Sequence, residues 1–451
     1  MSTCLKKHIL ALTIVFFIFN CSKNDDNNGG TSNAVTIDFV KTLGGTKNET
    51  GQAIVKTSDG GYAILGHTQS MDGDITDKSN ESFNYWLLKF DQNDTLEWQK
   101  NYGGSDDDRG RDIIQTSDNG YAIIGYSKSN DDDVTNNNGA HDFWVSKLDP
   151  SGNILWEKNY GFSGADIGNS IIQTKDGGFL LTGVLDVSAS NGAGNSKSVK
   201  SKFSRKHAGG DYWTVKINAL GEKQWSRYFG GTFTDTPYDA IQTDDNGYLL
   251  VGSSDSEDVD IKNSKGAYDF WIVKISETGT LIWEKSFGGS QTDEARAIIK
   301  SDDGNYIIVG NTRSDDLDVT NNKGAADLWT IKISPAGEFI WEKSFGGSSF
   351  DVAQSISKTQ DGGFIISGNS RSADGNLTDN KGQNDAWVIK IDTNGNLKWQ
   401  KTVGGSDIDF AYDVVEINNK DIIVVGDSSS SNLDVSNNNG FTDLLIFKIK
   451  Q

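Results

Sequence analysis

The stretch Asp142-Phe143-Trp144-Val145-Ser146-Lys147-Leu148, the turn Pro150-Ser151-Gly152-Asn153, and the run Ile154-Leu155-Trp156-Glu157-Lys158 carry two tryptophans twelve residues apart. The same pair recurs as Trp86/Trp98, Trp213/Trp225, Trp271/Trp283, Trp329/Trp341 and Trp387/Trp399, which accounts for all twelve tryptophans of the chain. Four of the five steps between pairs are fifty-eight residues long. A fixed period of this size marks a repeat architecture, in which each unit buries its apolar face against its neighbours.

Working outward from the tryptophans, each unit opens on a double glycine, at Gly44, Gly103, Gly161, Gly230, Gly288, Gly346 and Gly404, giving seven copies. After Gly103 come Asp112-Ile113-Ile114-Gln115-Thr116, a turn at Asp118-Asn119-Gly120, and Tyr121-Ala122-Ile123-Ile124-Gly125. Short β-branched and aromatic runs joined by Asp, Asn and Gly read as a hairpin, because those residues accept the positive φ of a tight turn. With the tryptophan-bearing runs this makes four strands per unit. No stretch of the mature chain sustains a 3.6-residue period, and Pro150, Pro237 and Pro335 fall where loops or turns are expected, so helix is close to absent. The fold class is therefore all-β, a seven-bladed propeller of four-stranded blades, with the tryptophans filling the wedges between blades.

The seventh unit ends at Phe447-Lys448-Ile449-Lys450-Gln451, after its third strand. An orphan fourth strand lies at the other end: Ile37-Asp38-Phe39-Val40-Lys41-Thr42-Leu43 matches Leu281-Ile282-Trp283-Glu284-Lys285-Ser286-Phe287, with Phe39 at the tryptophan position. Residues 34–45 are thus expected to complete the last blade and close the ring, so that residues 34–451 form one propeller without free strand edges.

The unit resembles the bacterial SBBP-type β-propeller repeat. The shared residues are Gly288-Gly289-Ser290 with Asp293, the segment Asp303 to Gly310, and Gly324 with Asp327, Trp329 and Lys332. This resemblance implies a propeller and no reaction. The turn and strand Ser151 to Trp156 also look like the tryptophan-docking repeat of quinoprotein dehydrogenases, although the flanking residues of that family are missing.

Residues 1–20 combine Lys6-Lys7 with an apolar run from Ile9 to Phe19, and Cys21 follows directly. This reads as a secretory signal, too short to span a bilayer, with Cys21 as the lipidation site. The segment Cys21 to Asp26 looks like the start of Bacteroidetes lipoproteins, which implies a surface-exposed place on the outer membrane. Residues 21–33 would be a flexible lipidated tether. Cys4 leaves with the signal, so no disulfide staples the fold. Without Lys6 and Lys7, forty basic residues face sixty-three acidic ones, a net charge near −23. Such a charge argues against nucleic acid as a partner and for solubility and cation attraction.

Candidate chemistry is thin. His67, His141 and His207 lie in different repeats without a partner motif and read as loop or surface residues. No nucleophile elbow, phosphate-cradling loop or zinc spacing is present. Two acidic features recur. The loop between strands two and three carries Asp131, Asp133, Thr135, Asn137 and Asp142, echoed by Asp316, Asp318, Thr320 and Asp327 and, in other units, by Asp258, Asp260 and Asp269, by Asp374, Asn376, Thr378 and Asp385, and by Asp434, Ser436 and Asp443. Alternating oxygen donors closed by an acid suit calcium; the alternative is a solvated loop whose side chains satisfy their own turn amides. A second series, Glu49, Asp108, Asp166, Asp235, Asp293, Asp351 and Asp409, would either ring one mouth of the channel or cap local amides. The third unit is longer than its siblings and carries the basic cluster Lys197, Lys200, Lys202, Arg205, Lys206 and His207, a candidate partner-binding loop set against a tolerated surface insertion. The sequence reading is a monomeric, lipid-anchored, non-catalytic surface propeller that binds a protein or glycan. The alternative is a glycan-binding protein or a quinoprotein-like or hydrolase-like enzyme using the channel mouth.

Overall fold

The computed structural model describes residues 35–196 and 207–451. Among them twenty-eight strands form seven four-stranded sheets, and no helix is present. The second blade shows the plan: Asp108–Gln115, Tyr121–Ser127, Asp142–Leu148 and Ile154–Tyr160 pair antiparallel in sequence order. Asn119, at φ 63°, sits in the first turn of this blade, the positive φ expected of that position.

The last blade is completed by the first strand of the chain. Thr36–Leu43 pairs antiparallel with Asp443–Lys450, and Phe39 stands opposite Lys448. The first strand of blade one, Glu49–Lys56, packs against that of blade seven, Asp409–Glu416, so the ring is closed.

The core is divided into seven apolar clusters, each shared by two neighbouring blades. One joins Leu249, Phe270 and Ile272 of blade four to Tyr306, Ile308 and Trp329 of blade five. The six third-strand tryptophans are fully buried in these wedges. Those of the fourth strands are half-buried and lie on the next blade: the Trp98 ring meets Tyr121 edge-on, with centroids 6.0 Å apart. The buried indoles need a polar partner for their N–H, and outside blade three the residue after the fourth-strand tryptophan supplies it: Trp144 Nε1 donates to Glu157 Oε2 (3.1 Å) and Trp387 Nε1 to Gln400 Oε1 (2.8 Å), whereas Trp213 Nε1 donates to the Gly194 carbonyl (3.1 Å).

Every first strand carries a β-bulge at the same place. The pairing of first and second strands shifts between Gly51 and Ala53, Gly110 and Asp112, Gly168 and Ser170, Pro237 and Asp239, Ala295 and Ala297, Ala353 and Ser355, and Ala411 and Asp413. Opposite each bulge the second strand has a glycine. A Cβ at Gly66 would run into the carbonyl oxygen of Thr50, and one at Gly125 into that of Arg109. The extra residue of a bulge is left out of the ladder and its side chain is re-aimed. Here it is turned into the channel.

Candidate functional site

The acidic residues singled out in the sequence do not converge. Asp131 accepts the Ser105 amide (2.8 Å) and hydroxyl (2.6 Å), and Asp133 Oδ2 accepts the Gly103 amide (3.3 Å), tying the loop to the linker between blades. Thr135 donates to Glu157 (2.5 Å), Asn137 Nδ2 to the Ser127 carbonyl (3.0 Å), and Asp142 Oδ2 accepts the Asn138 amide (2.7 Å). Blade five repeats the scheme: Asp316 accepts the Ser290 amide (2.7 Å), Asp318 the Gly288 amide (3.2 Å) and Asp327 the Lys323 amide (2.9 Å), while Thr320 donates to Glu342. Among the described residues no group of three or more His, Cys, Asp or Glu side chains is arranged to hold a metal ion.

The second acidic series lies inside the blades. Asp293 takes the Gly289 amide (2.7 Å) and the Ser314 hydroxyl (2.8 Å), and Asp108 takes the Gly104 amide (2.7 Å). These carboxylates are 0–1% exposed, which suits turn caps and removes them from the channel mouth. Beside each stands the residue that opens the third strand. Of these, Asp142, Asp211, Asp269, Asp327, Asp385 and Asp443 are buried and leave Oδ1 without a partner. Burial pushes all six up to about 6.

His67, expected on a loop or surface, is instead buried near the end of a second strand, edge-on to Phe83 (5.3 Å), because that strand lies inside its blade with every residue buried. His207 Nδ1 lies 2.6 Å from Asp211 Oδ2. Lys197, Lys200, Lys202, Arg205 and Lys206 fall outside the described residues, as do residues 1–20, Cys21 and the tether over residues 21–33.

The structure brings together a set of residues that the sequence reading did not select. The seven bulge residues, Gln52, Arg111, Asn169, Tyr238, Arg296, Gln354 and Tyr412, one from each blade, line a channel cavity of about 620 Å³. That is the size of small-molecule sites in general. The column supplies two guanidiniums, two phenols and three amides, and Ile167, Val184 and Thr236 complete the lining. Arg111 Nη1 donates to Gln52 Oε1 (3.2 Å) and its guanidinium stands over the Tyr126 ring (5.7 Å). Arg296 lies over the Tyr238 ring (4.1 Å) and reaches Glu294 Oε2 (3.3 Å). The buried Nε atoms of both arginines have no hydrogen-bond partner.

One residue further along, Asp112, Asp239 and Asp413 strap neighbouring blades together at the floor of the cavity. Asp112 accepts the amides of Ile113 (2.7 Å) and, in the next blade, Ile171 (2.8 Å). Asp239 accepts those of Ala240 (2.7 Å) and Ile298 (2.9 Å), and Asp413 those of Val414 (2.8 Å) and Ile54 (2.8 Å). Ser170 and Ser355 also donate to Asp239 (3.2 Å) and Asp413 (2.5 Å). Burial, reinforced by Asp239 and Asp413, pushes Asp112 up to about 8, and burial pushes the other two to about 6. The alternation of bulge residue and strap was visible in the sequence as one variable column eight residues after the first glycine of each unit, flanked by small residues.

The loops of the acidic face add a second feature. Val259, Leu317 and Leu433 hold homologous loop positions at φ 59°, 56° and 59°, and are 37%, 66% and 66% exposed. A left-handed aliphatic residue costs on the order of 1–3 kcal/mol, and here it places an apolar side chain in solvent.

No protein-family model matches the chain. An uncharacterized WD repeat-containing protein of Acanthamoeba polyphaga mimivirus is 25% identical over 210 residues, 38% of this chain and 15% of that protein. The regulatory protein FlaEY of Caulobacter vibrioides is 23% identical over 223 residues, 46% of this chain and 23% of that one. The chain therefore spans less than a quarter of the length of either relative. Among solved structures, the WD40 domain of Neurospora crassa Pan2 is similar at 8% identity and a TM-score of 0.46, over 91% of this chain and 97% of that one. A puromycin hydrolase is similar at 10% identity and a TM-score of 0.47, over 85% and 51%.

Proposed function

We propose that this propeller is a non-catalytic binding module whose ligand enters the channel, and that the chain is carried on the bacterial surface as a lipoprotein through Cys21. The observation that carries the binding reading is the ring of bulge residues, two arginines, two tyrosines and three amides, one from each blade, that lines the cavity together with Ile167, Val184 and Thr236. A rigid ring that presents unequal groups from fixed positions is what recognition requires. Each carboxyl oxygen of Asp112, Asp239 and Asp413 accepts a backbone amide, which fixes these acids in the frame as straps between blades. The exposed Val259, Leu317 and Leu433 offer a larger partner apolar contacts beyond the cavity.

The test is a glycan array and a pull-down with the full chain beside the variant Gln52→Ala, Tyr238→Ala, Gln354→Ala, Tyr412→Ala. Loss of the bound species with an unchanged melting curve supports the channel; retained binding moves the site elsewhere. Anchoring is tested separately. Cys21→Ser releases the protein from membranes if the cysteine is acylated, since each buried methylene contributes about 0.8 kcal/mol, and continued sedimentation with membranes after a salt wash refutes it.

A further inference from the structure

We infer that the channel ligand is a saccharide bearing carboxylate groups, held by Arg111 and Arg296; this rests on the channel reading above. The chain carries a formal net charge of −21 at pH 7, so an arginine with no acid beside it is out of keeping with its surroundings. Arg111 has no carboxylate oxygen within 4.0 Å among the described residues, its side-chain partners Gln52 and Tyr126 are neutral, and its Nε is buried and unpartnered. Arg296 spends one Nη on Glu294 and keeps a buried, unpartnered Nε. A buried donor left without an acceptor costs about 1–3 kcal/mol, more for a charged group. An incoming anion removes that cost at both positions.

The two arginines stand on blades two and five, three blades apart in a ring of seven, so they face the cavity from opposing walls. A guanidinium matches a carboxylate in a planar, two-pronged contact. The remaining bulge residues suit a sugar between the two charges. Tyr238 and Tyr412 provide flat apolar faces, and Gln52, Asn169 and Gln354 provide amides that both donate and accept toward hydroxyls. The acids nearby do not cancel the two cations. Asp112, Asp239 and Asp413 are turned onto backbone amides, and Asp427, which accepts from the Tyr412 hydroxyl (3.3 Å), is pushed up to about 7 by burial.

The experiment titrates the full chain calorimetrically with trigalacturonate and with its methyl ester, which has the same shape and no charge. The acid is expected to bind, and the ester to bind at least about tenfold more weakly, a difference of about 1.4 kcal/mol. Affinity for the acid should fall as sodium chloride rises. Arg111→Gln and Arg296→Gln should each weaken it by about tenfold or more with unchanged melting curves. If acid and ester bind alike, and Tyr238→Ala but neither arginine variant abolishes binding, the anionic class is wrong while the channel remains the site. If neither probe binds, the acidic-saccharide inference fails, and the array and pull-down with the four-residue channel variant still judge the channel on their own.

Discussion

Phe39 faces Lys448 across the seam of the ring in the register that Trp283 keeps with Lys274 inside blade four. The two ends of the chain therefore meet in one blade, and the apolar side of the seam joins the cluster shared with blade one, where Phe39 packs beside Leu444 and Ile446. Deleting residues 34–45 should uncover the edge Asp443–Lys450 and part of that cluster, lower the melting temperature and produce aggregation. Deleting residues 22–33 should leave the melting curve unchanged. Thermal denaturation with light scattering compares the two; equal curves would remove the strand from the ring.

Gly66→Ala should destabilise the protein by about 1–3 kcal/mol, the cost of forcing a methyl group into a packed interior, because the new Cβ meets the Thr50 carbonyl across the bulge. Gly304→Ala is the control: nothing lies within 4 Å of its Cβ, but its φ of +84° penalises a side chain through strain. Only the first should also disturb the channel, since relieving the clash moves Gln52. Urea denaturation reads the stability, and ligand affinity reads the channel.

The junction acids make stability depend on pH in an unusual direction. Asp142, Asp211, Asp269, Asp327, Asp385 and Asp443 sit at about 6 in the fold against an ordinary 3.8, so the native state binds more protons than the unfolded chain between those values. Their contribution is fully present below 3.8 and is lost as pH rises through about 6. The opposite sign holds for the hairpin acids. Asp118 is drawn up by partial burial, but the Thr116 hydroxyl and the Lys147 ammonium outweigh that and leave it at about 2; Asp245, held by Lys274 and Thr243, behaves alike. Those contributions fade only as pH falls from 3.8 through about 2. The melting temperature should therefore rise from neutral pH to about pH 5 and drop in strong acid. Asp269→Asn should flatten the rise, since blade one already carries Asn84 at this position. A melting temperature that falls steadily from neutral to pH 5 would contradict the assignment.

The loop oxygens can be tested against calcium directly. Asp133 and Asp318 each accept a glycine amide of the linker, so Asp133→Ala with Asp318→Ala should lower the melting temperature in sodium chloride alone, by roughly 1 kcal/mol per lost acceptor. The hydrogen bonds by themselves predict no further change with calcium at matched ionic strength. A calcium-specific rise in the wild-type chain that disappears in the double variant would instead establish the loops as cation sites, by mass action on the folded ring.

The repeat made the frame legible. A residue that recurs in every unit must serve what every unit does, which is to pair strands and fill the wedge, so the tryptophans, the glycines and the orphan strand around Phe39 read directly as fold. The channel was hidden for the same reason. Arg111 and Tyr412 sit at a position where the period of two is broken by a bulge, and a bulge has no residue signature beyond the small neighbour before it and the glycine facing it. Their importance shows only when the seven first strands are stacked and the register shift in each is seen to turn the same position toward the cavity. The acids pose a different problem. Asp131 and Asp142 have the composition of a cation loop and of a self-satisfied turn alike; Asp131 takes the amide and hydroxyl of Ser105, in the linker that precedes the blade, and Asp142 takes an amide of its own loop through Oδ2, and composition does not reveal which partner an oxygen has.

The bulge has one more consequence. Because Gln52, Arg111, Asn169, Tyr238, Arg296, Gln354 and Tyr412 stand outside the strand ladder and outside the seven apolar clusters, each can be exchanged with little penalty to folding. Duplicating a blade copies the frame and leaves its inward residue free to drift. The ring thus separates shape from specificity, and a new ligand can be met by point substitutions at seven addresses while the strand pairing and the wedges between blades are left as they are.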